Sequence, residues 1–401
     1  MLGGHKLNNQ LVNGNKPEFG PAILFFSGGT ALESLARILT RYSHNTIHII
    51  TTFDSGGSSA ALRQAFGMPA VGDIRHRLVA LADLSIPGVK TLCEFFERRL
   101  EFKASGKKLL HELDLLVAGK HLWNAGFDPQ MATKLWRKLE VFRSCMPETF
   151  NLRGAAVGNM ILAADYLEKE RNLLAAIRES ASLLNVKGTV QPVSDCQAHL
   201  AVHLASGRVL VGQHLFTDKK IMDGVVTPVQ AEGPIKEVWL AGDVEHPGSL
   251  RVRAHPDVPG LLARADLICY PVGSFYSSIV ANLLPAGVSR AVANSEGKKV
   301  FVPNPGPDPE LFGHTLQGQV EALLKAARKD DPAIELADIL NVVVVDRSGG
   351  SYSGELPKKW LEKQGVAMLD FQFSDIASSQ KNFVRIQEQR LSKLLVAMAG
   401  M

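Results

Sequence analysis

The chain reads as an α/β protein with a doubly wound, mostly parallel sheet that carries a helical and antiparallel β insertion. Three observations lead there. Strand-like apolar runs recur toward both ends of the chain, each ending in a loop rich in glycine, serine, proline or aspartate. A helical stretch separates the first two runs, which makes their pairing parallel. The middle of the chain loses this rhythm, becoming first helical and then alternating.

The first strand, residues 23–26, runs into Ser27-Gly28-Gly29-Thr30. Leu32, Leu35, Ala36 and Leu39 then share one helical face, and Thr30 and Glu33 have capping-box spacing. Residues 47–53 form the second strand and lead into Asp54-Ser55-Gly56-Gly57-Ser58-Ser59. Gly72 opens a further helix whose Ile74, Leu78 and Leu81 face the core, with Asp73 placed to cap it. From Gly88 to Leu184 the signals are mainly helical, with Leu92, Phe95, Phe96 and Leu100 on one stripe. From Thr189 to Leu240 the pattern is antiparallel, and Ser206-Gly207 reads as a two-residue hairpin turn between residues 198–205 and 208–216.

The strand-and-loop rhythm then returns. Residues 266–270 lead into Pro271-Val272-Gly273-Ser274, residues 299–303 into Asn304, and residues 341–345 into Asp346. The unbroken run Val342, Val343, Val344, Val345 suits a strand covered on both faces. At least five strands thus build one sheet from both ends of the chain. The expected division is a nucleotide-binding core over residues 20–87 and 241–401, an insertion over 88–240 and a loose arm over 1–19.

Composition narrows the class. With 46% hydrophobic and 21% charged residues, wholesale disorder is excluded. A formal charge of +4 over 401 residues calls for no nucleic-acid partner. Cys93, Cys145, Cys196 and Cys269 match no zinc spacing and read as reduced, mostly buried thiols. No apolar run is long enough to span a bilayer, and the first twenty residues lack a signal-peptide core. The expectation is a cytoplasmic protein with no membrane partner.

Loops that follow parallel strands open at one sheet edge, where open α/β folds bind ligands. Gly28, Gly29 and Thr30 in the first loop, and Gly56, Gly57 and Ser58 in the second, allow backbone N–H groups to approach a phosphate. Asp54 can hold magnesium or orient an attacking hydroxyl; the alternative is an aspartate that only stabilises its turn. Arg75, with His76 and Arg77, crowds cations into the first turn of a helix, a conflict that an anionic ligand would offset. Asn159 opens another helix after Gly158, and Gly273, Ser274, Ser277 and Asn304 end two later strands. His199, His203 and His214 offer metal-ligating nitrogens; without a supporting carboxylate or cysteine spacing they read as ordinary strand histidines.

Gly28-Gly29-Thr30, FDSGGSSAALR (53–63) and GDIRHRLVALAD (72–83) together resemble the CofD-like proteins. VGNMILAA (157–164), ADLICYPVGSFYSSIVANLL (265–284) and VPNPGPDPELFGHT (302–315) follow in the same order. That family includes 2-phospho-L-lactate transferase and a gluconeogenesis-factor (YvcK-like) branch. The resemblance implies a Rossmann-like core, a homodimer and magnesium. It implies a transferase moving a 2-phospholactate-type group from a nucleoside diphosphate-linked donor to a deazaflavin-type hydroxyl. The alternative is a non-catalytic nucleotide-sugar-binding regulator of carbon metabolism or cell shape, so the small-molecule partner is GDP-type or UDP-sugar-type. Carried over by motif, Gly28, Gly29 and Thr30 meet phosphates and Asp54 faces the metal or acceptor. Asp73, Asn159, Gly273, Ser274 and Ser277 complete the cleft. The chain departs from the family pattern at Ser55, where a second aspartate is usual, and at Pro271, where a glycine is usual. It is similar to a divergent subgroup.

Overall fold

A computed structural model of the chain describes residues 16–124, 126–216, 228–245, 247–375 and 384–400. Of the arm expected over residues 1–19, residues 1–15 lie outside the described residues. In chain order the strands begin with β1 (Ile23–Ser27), β2 (Ile47–Ile50) and β3 (Thr189–Pro192). β4 (His199–Leu204), β5 (Val209–Val211) and β6 (Ile235–Ala241) follow, then β7 (Leu267–Tyr270), β8 (Lys298–Phe301), β9 (Val342–Val345) and β10 (Ala367–Asp370). Seven of them form one parallel sheet in the order β10-β9-β8-β7-β1-β2-β3, and β5-β4-β6 form a separate antiparallel sheet.

The inner parallel strands are mostly apolar because helices cover both faces. In β1, Ile23 and Phe25 pack with Leu32, Leu35 and Leu39, while Leu24 and Phe26 join the core on the opposite face. Val343 and Val345 part from Val344 in β9 in the same way. The helices α1 (Glu33–Leu39), α2 (Gly57–Phe66) and α3 (Gly72–Ala80) connect the first strands. α4 (Val89–Glu97), α5 (Gly106–Val117), α6 (Pro129–Cys145), α7 (Val157–Glu168) and α8 (Leu173–Leu183) then build the helical insertion. Polar side chains set several of its boundaries: Ser105, Asp128 and Asn172 accept first-turn N–H groups, and Pro129 stands at the start of α6. One apolar core joins Leu62 of α2 and Ile74 of α3 to Phe96, Phe142 and Ile161, so the insertion is anchored on the α2–α3 side of the sheet.

Several local expectations are corrected. Residues 189–192 are not antiparallel: β3 pairs parallel with β2 and is the sheet's outer strand. The turns of Thr189 and Val193 N–H toward β2 leave Val190 and Pro192 facing outward, and a proline offers no N–H to a further strand. The hairpin loop holds three residues rather than two, since Leu204 N–H bonds to Arg208 O and His203 faces Val209. The Thr30–Glu33 capping box does not form, because α1 begins at Glu33 with Leu32 before it and no side-chain cap. Of the four thiols, Cys93 and Cys269 are buried but Cys145 and Cys196 are exposed, and all are free. Among the described residues no helix is long and apolar enough to cross a membrane.

Candidate functional site

From β1 the chain moves outward to β2 and β3 on one side, and from β7 it moves to β8, β9 and β10 on the other. The loops after the neighbouring strands β1 and β7 therefore diverge, and a crevice opens between them at the carboxyl edge. A cleft of about 240 Å³ lies there, bordered by Gly28, Gly29 and Thr30, by Asp54 and Asp73, and by Gly273 and Ser274. A larger groove of about 670 Å³ runs between α8 and the start of β3. It lies away from the strand ends and contains none of the motif residues.

Tight approach explains the first glycines. A Cβ on Gly28 would stand 2.4 Å from Ser278 Oγ, and one on Gly29 would stand 2.3 Å from Asp73 Oδ1. Arg77, fully buried beneath, donates from Nη2 to Gly28 O at 3.1 Å and Gly29 O at 3.2 Å, and from Nη1 to Leu32 O at 3.1 Å. In a trans peptide the C=O of one residue opposes the N–H of the next. Turning these carbonyls onto Arg77 thus turns the Gly29 and Thr30 N–H groups away from it. Burial lowers the Arg77 pKa to about 10, so the guanidinium stays charged at neutral pH. Ser27, also on the cleft wall, is 3% exposed and its Oγ has no hydrogen-bond partner among the described residues.

The second loop is held similarly. Arg63 donates to Asp54 O at 2.9 Å and to Ala198 O at 2.6 Å, tying the loop to the antiparallel sheet. Asp54 Oδ1 accepts the Gly56 N–H at 3.0 Å while its carboxylate borders the cleft, so it forms its turn and faces the ligand space at once. Burial raises its pKa, and the Gly56 N–H and Arg63 oppose that shift. Gly57 has φ +51 at the helix start and open space beside it. Ser58 is drawn to the insertion, accepting Ala156 N–H at 3.2 Å and Asn159 Nδ2 at 3.3 Å. Gly56, Gly57, Ser58 and Asn159 therefore support the cleft from outside its wall.

Other expected residues divide. Asp73 is no cap: α3 starts at Gly72, and Asp73 borders the cleft. Arg75 is 1% exposed and turns away, donating to Phe96 O at 3.3 Å and to His76 Nε2. Gly158 makes room for it, since a Cβ there would lie 2.9 Å from Arg75 Cδ. Ser277 bonds the buried Glu310, whereas Ser278 borders the cleft. Asn304 locks the Gly273 loop from behind, accepting its N–H at 2.8 Å and donating to its carbonyl at 2.7 Å. Gln213, which follows β5, reaches the cleft and went unread in the sequence, as did Arg63; Arg77, read with Arg75 as a first-turn cation that an anion would offset, is instead buried on the carbonyls of the first loop. Arg63 lies within a quoted motif, the one signal that pointed to it.

The three histidines separate. His214 Nδ1 lies 2.9 Å from Ser55 Oγ, His199 Nε2 lies 3.4 Å from Arg63, and His203 pairs across from Glu237. The one-residue register shift of the hairpin removes the expected pairing of His199 with His214. Among the described residues no group of three metal-ligating side chains gathers. Asp54 and Asp73 instead suit magnesium, which takes one or two carboxylates beside phosphate oxygens and keeps several waters.

The sequence model of the family described as 2-phospho-L-lactate transferase CofD matches residues 23–388. The gluconeogenesis factor of Bacillus subtilis is 28% identical over 76% of this chain and 74% of its own length. A Nostoc sp. relative is 26% identical over 95% of this chain and 69% of its own. A crystal structure of a UPF0052-family protein from Bacillus halodurans shares the fold, with a TM-score of 0.65 at 21% identity over 96% of this chain and 100% of that one. The family match takes in every loop that borders the cleft, and the chain belongs to the CofD family.

Proposed function

We propose that the cleft binds a nucleoside diphosphate-linked small molecule through its phosphates, and that the chain acts as a regulator of carbon metabolism, as the name of its Bacillus subtilis relative suggests. The observation that carries the binding is the Gly28–Thr30 loop on the cleft wall, whose carbonyls are fixed on buried Arg77 so that the N–H groups that follow them point away from that cation. Ser55 supports the regulatory reading. It stands where the family pattern has a second carboxylate, and it is bonded to His214 rather than placed on the cleft wall.

A second reading is a 2-phospholactate-type transferase, supported by Asp54 and Asp73 beside the phosphate loop. Magnesium, held by Asp54, would supply charge neutralisation at the phosphates there. Thermal shift with UDP, GDP, UDP-sugars and a deazaflavin, each with and without magnesium, tests both. Stabilisation by a nucleoside diphosphate ligand with no turnover supports the regulator. Transfer from a guanosine diphosphate-linked donor selects the transferase, and no stabilisation by any ligand rejects both.

A further inference from the structure

Two neighbouring serines follow β7, and the fold gives them opposite surroundings. Ser277 is 1% exposed, and its hydroxyl is spent on the buried Glu310. Ser278 borders the cleft together with Ser274. Its backbone is bonded on both sides, the N–H to Ser274 O at 3.2 Å and the carbonyl to Asn282 Nδ2 at 2.7 Å. Asn282, itself fully buried, also reaches Ser27 O at 3.4 Å and so ties this turn to the end of β1. The Ser278 Oγ has no partner among the described residues and, unlike the Ser27 Oγ, is not sealed from solvent. It stands against Gly28, where a Cβ would collide with it.

The first N–H groups of a helical turn ordinarily favour an anion, but here they are filled from within. Glu310 Oε2 accepts Tyr276 N–H at 2.7 Å and Ser277 N–H at 2.9 Å. The Gly273 N–H is likewise taken, by Asn304. The protein has set its own carboxylate where a phosphate could sit, while the Ser278 hydroxyl stays unspent beside the Gly28 loop. We infer that Ser278 is a ligand-contacting residue whose hydroxyl donates to a phosphate oxygen held at that loop, and that Glu310 is the positioning residue that turns it there. This rests on the reading of the cleft as a phosphate site. It moves to Ser278 the contact that the resemblance gives to Ser277. The ligand is gripped unevenly, by backbone N–H groups on the β1 side and by a neutral hydroxyl on the β7 side.

The test is calorimetric titration of the full chain with inorganic pyrophosphate, UDP and GDP, alongside thermal melting. For whichever of these the parent binds, Ser278→Ala weakens affinity about ten- to a hundredfold, the range for a hydrogen bond to a charged group, and melts as the parent does. Ser277→Ala does the reverse: it melts lower, having lost its bond to Glu310, and keeps most of its affinity. Glu310→Asp holds the charge but draws the carboxylate back by one methylene. It weakens binding in the parent and adds no further loss in the Ser278→Ala background, a coupling that marks action through that side chain. Glu310→Gln, which keeps the reach, recovers the affinity. Parent-like affinity in Ser278→Ala, or a Ser277→Ala variant as weak as Ser278→Ala, overturns the contact. A Glu310→Asp variant with no loss, or with equal losses in both backgrounds, overturns the positioning role. A parent that binds none of the three overturns the phosphate reading as well, whereas a parent that binds and an indifferent Ser278→Ala overturn the Ser278 assignment alone.

Discussion

At Asp54 one side chain closes its own turn on Gly56 N–H and also presents a carboxylate to the cleft. Asp54→Asn separates the two. Its amide oxygen still accepts from Gly56, so the melting temperature changes little. Magnesium-dependent ligand binding falls about tenfold or more, the scale of one charge-assisted contact. Titration with and without magnesium measures it, and an Asn variant that binds normally leaves Asp54 only its turn. Asp346, at the end of β9, is structural by contrast. Burial alone would raise its pKa, but the Ser374 hydroxyl, the Gly349 N–H and the Ser348 hydroxyl outweigh that and hold it at about 2. Its Oδ2 also accepts the Phe373 and Ser374 N–H groups, at 2.9 and 2.7 Å. A depressed folded pKa means that this stability is present above pH about 4 and is lost as pH falls through about 2. Acid denaturation of Asp346→Asn, compared with the parent, shows a protein weaker at neutral pH whose stability changes less over that window.

Among the elements, the turn Phe275–Val280 after β7 has π-helical geometry and carries Ser278 to the cleft. Its N-terminus is clasped by Glu310, which accepts Tyr276 N–H at 2.7 Å, Ser277 N–H at 2.9 Å and the Ser277 hydroxyl at 2.5 Å. Burial, with the nearby Asp308 carboxylate adding to it, pushes the Glu310 pKa up to about 8. The unfolded chain releases this proton first, so folding stability falls as pH rises from about 4.5 to about 8. Glu310→Gln, an isostere without that proton, flattens the stability curve over this range, and urea unfolding at several pH values measures it. A curve as steep as the parent's would assign the slope elsewhere. Such a clasp was not legible in the sequence. Nothing in the spacing of Glu310 and Ser277 marks a contact made across 33 positions. The unbroken Val342–Val345 run was legible because both faces of that strand are covered. Ala367–Asp370 was not: it is a short strand, largely exposed, at the sheet's rim. Arg63 escaped, and Arg77 was read as facing an anion, because charge usually marks a solvated face, and here both are swallowed to hold loop carbonyls.

For the whole molecule, the loops at Gly28, Asp54 and Gly273 were legible as partners because parallel strands must open at one edge. The wall contributed by Gln213 was not, since it depends on how the antiparallel sheet docks, and periodicity carries no record of docking. Gln213→Glu adds a third negative charge beside Asp54 and Asp73, so a phosphate ligand binds more weakly while uncharged ligands are unaffected. Competition between UDP and uridine separates the two outcomes, and equal losses for both would indicate a disturbed wall instead. The resemblance also implies a homodimer, which light scattering at micromolar protein checks directly, a monomer rejecting it.

Pro192 sets a polarity on how this protein can meet copies of itself. On the β3 side the hydrogen-bonding ladder stops: Val190 alone has an outward N–H within the strand, and Gln191 Nε2 already occupies the Pro192 carbonyl at 3.2 Å. On the β10 side the rim is exposed and carries no proline between Ala367 and Asp370. Continuous β-pairing between molecules, whether in an ordered assembly or during aggregation at high expression, is therefore one-sided. At β3 such pairing is closed off, because Pro192 offers no N–H and its carbonyl is already taken.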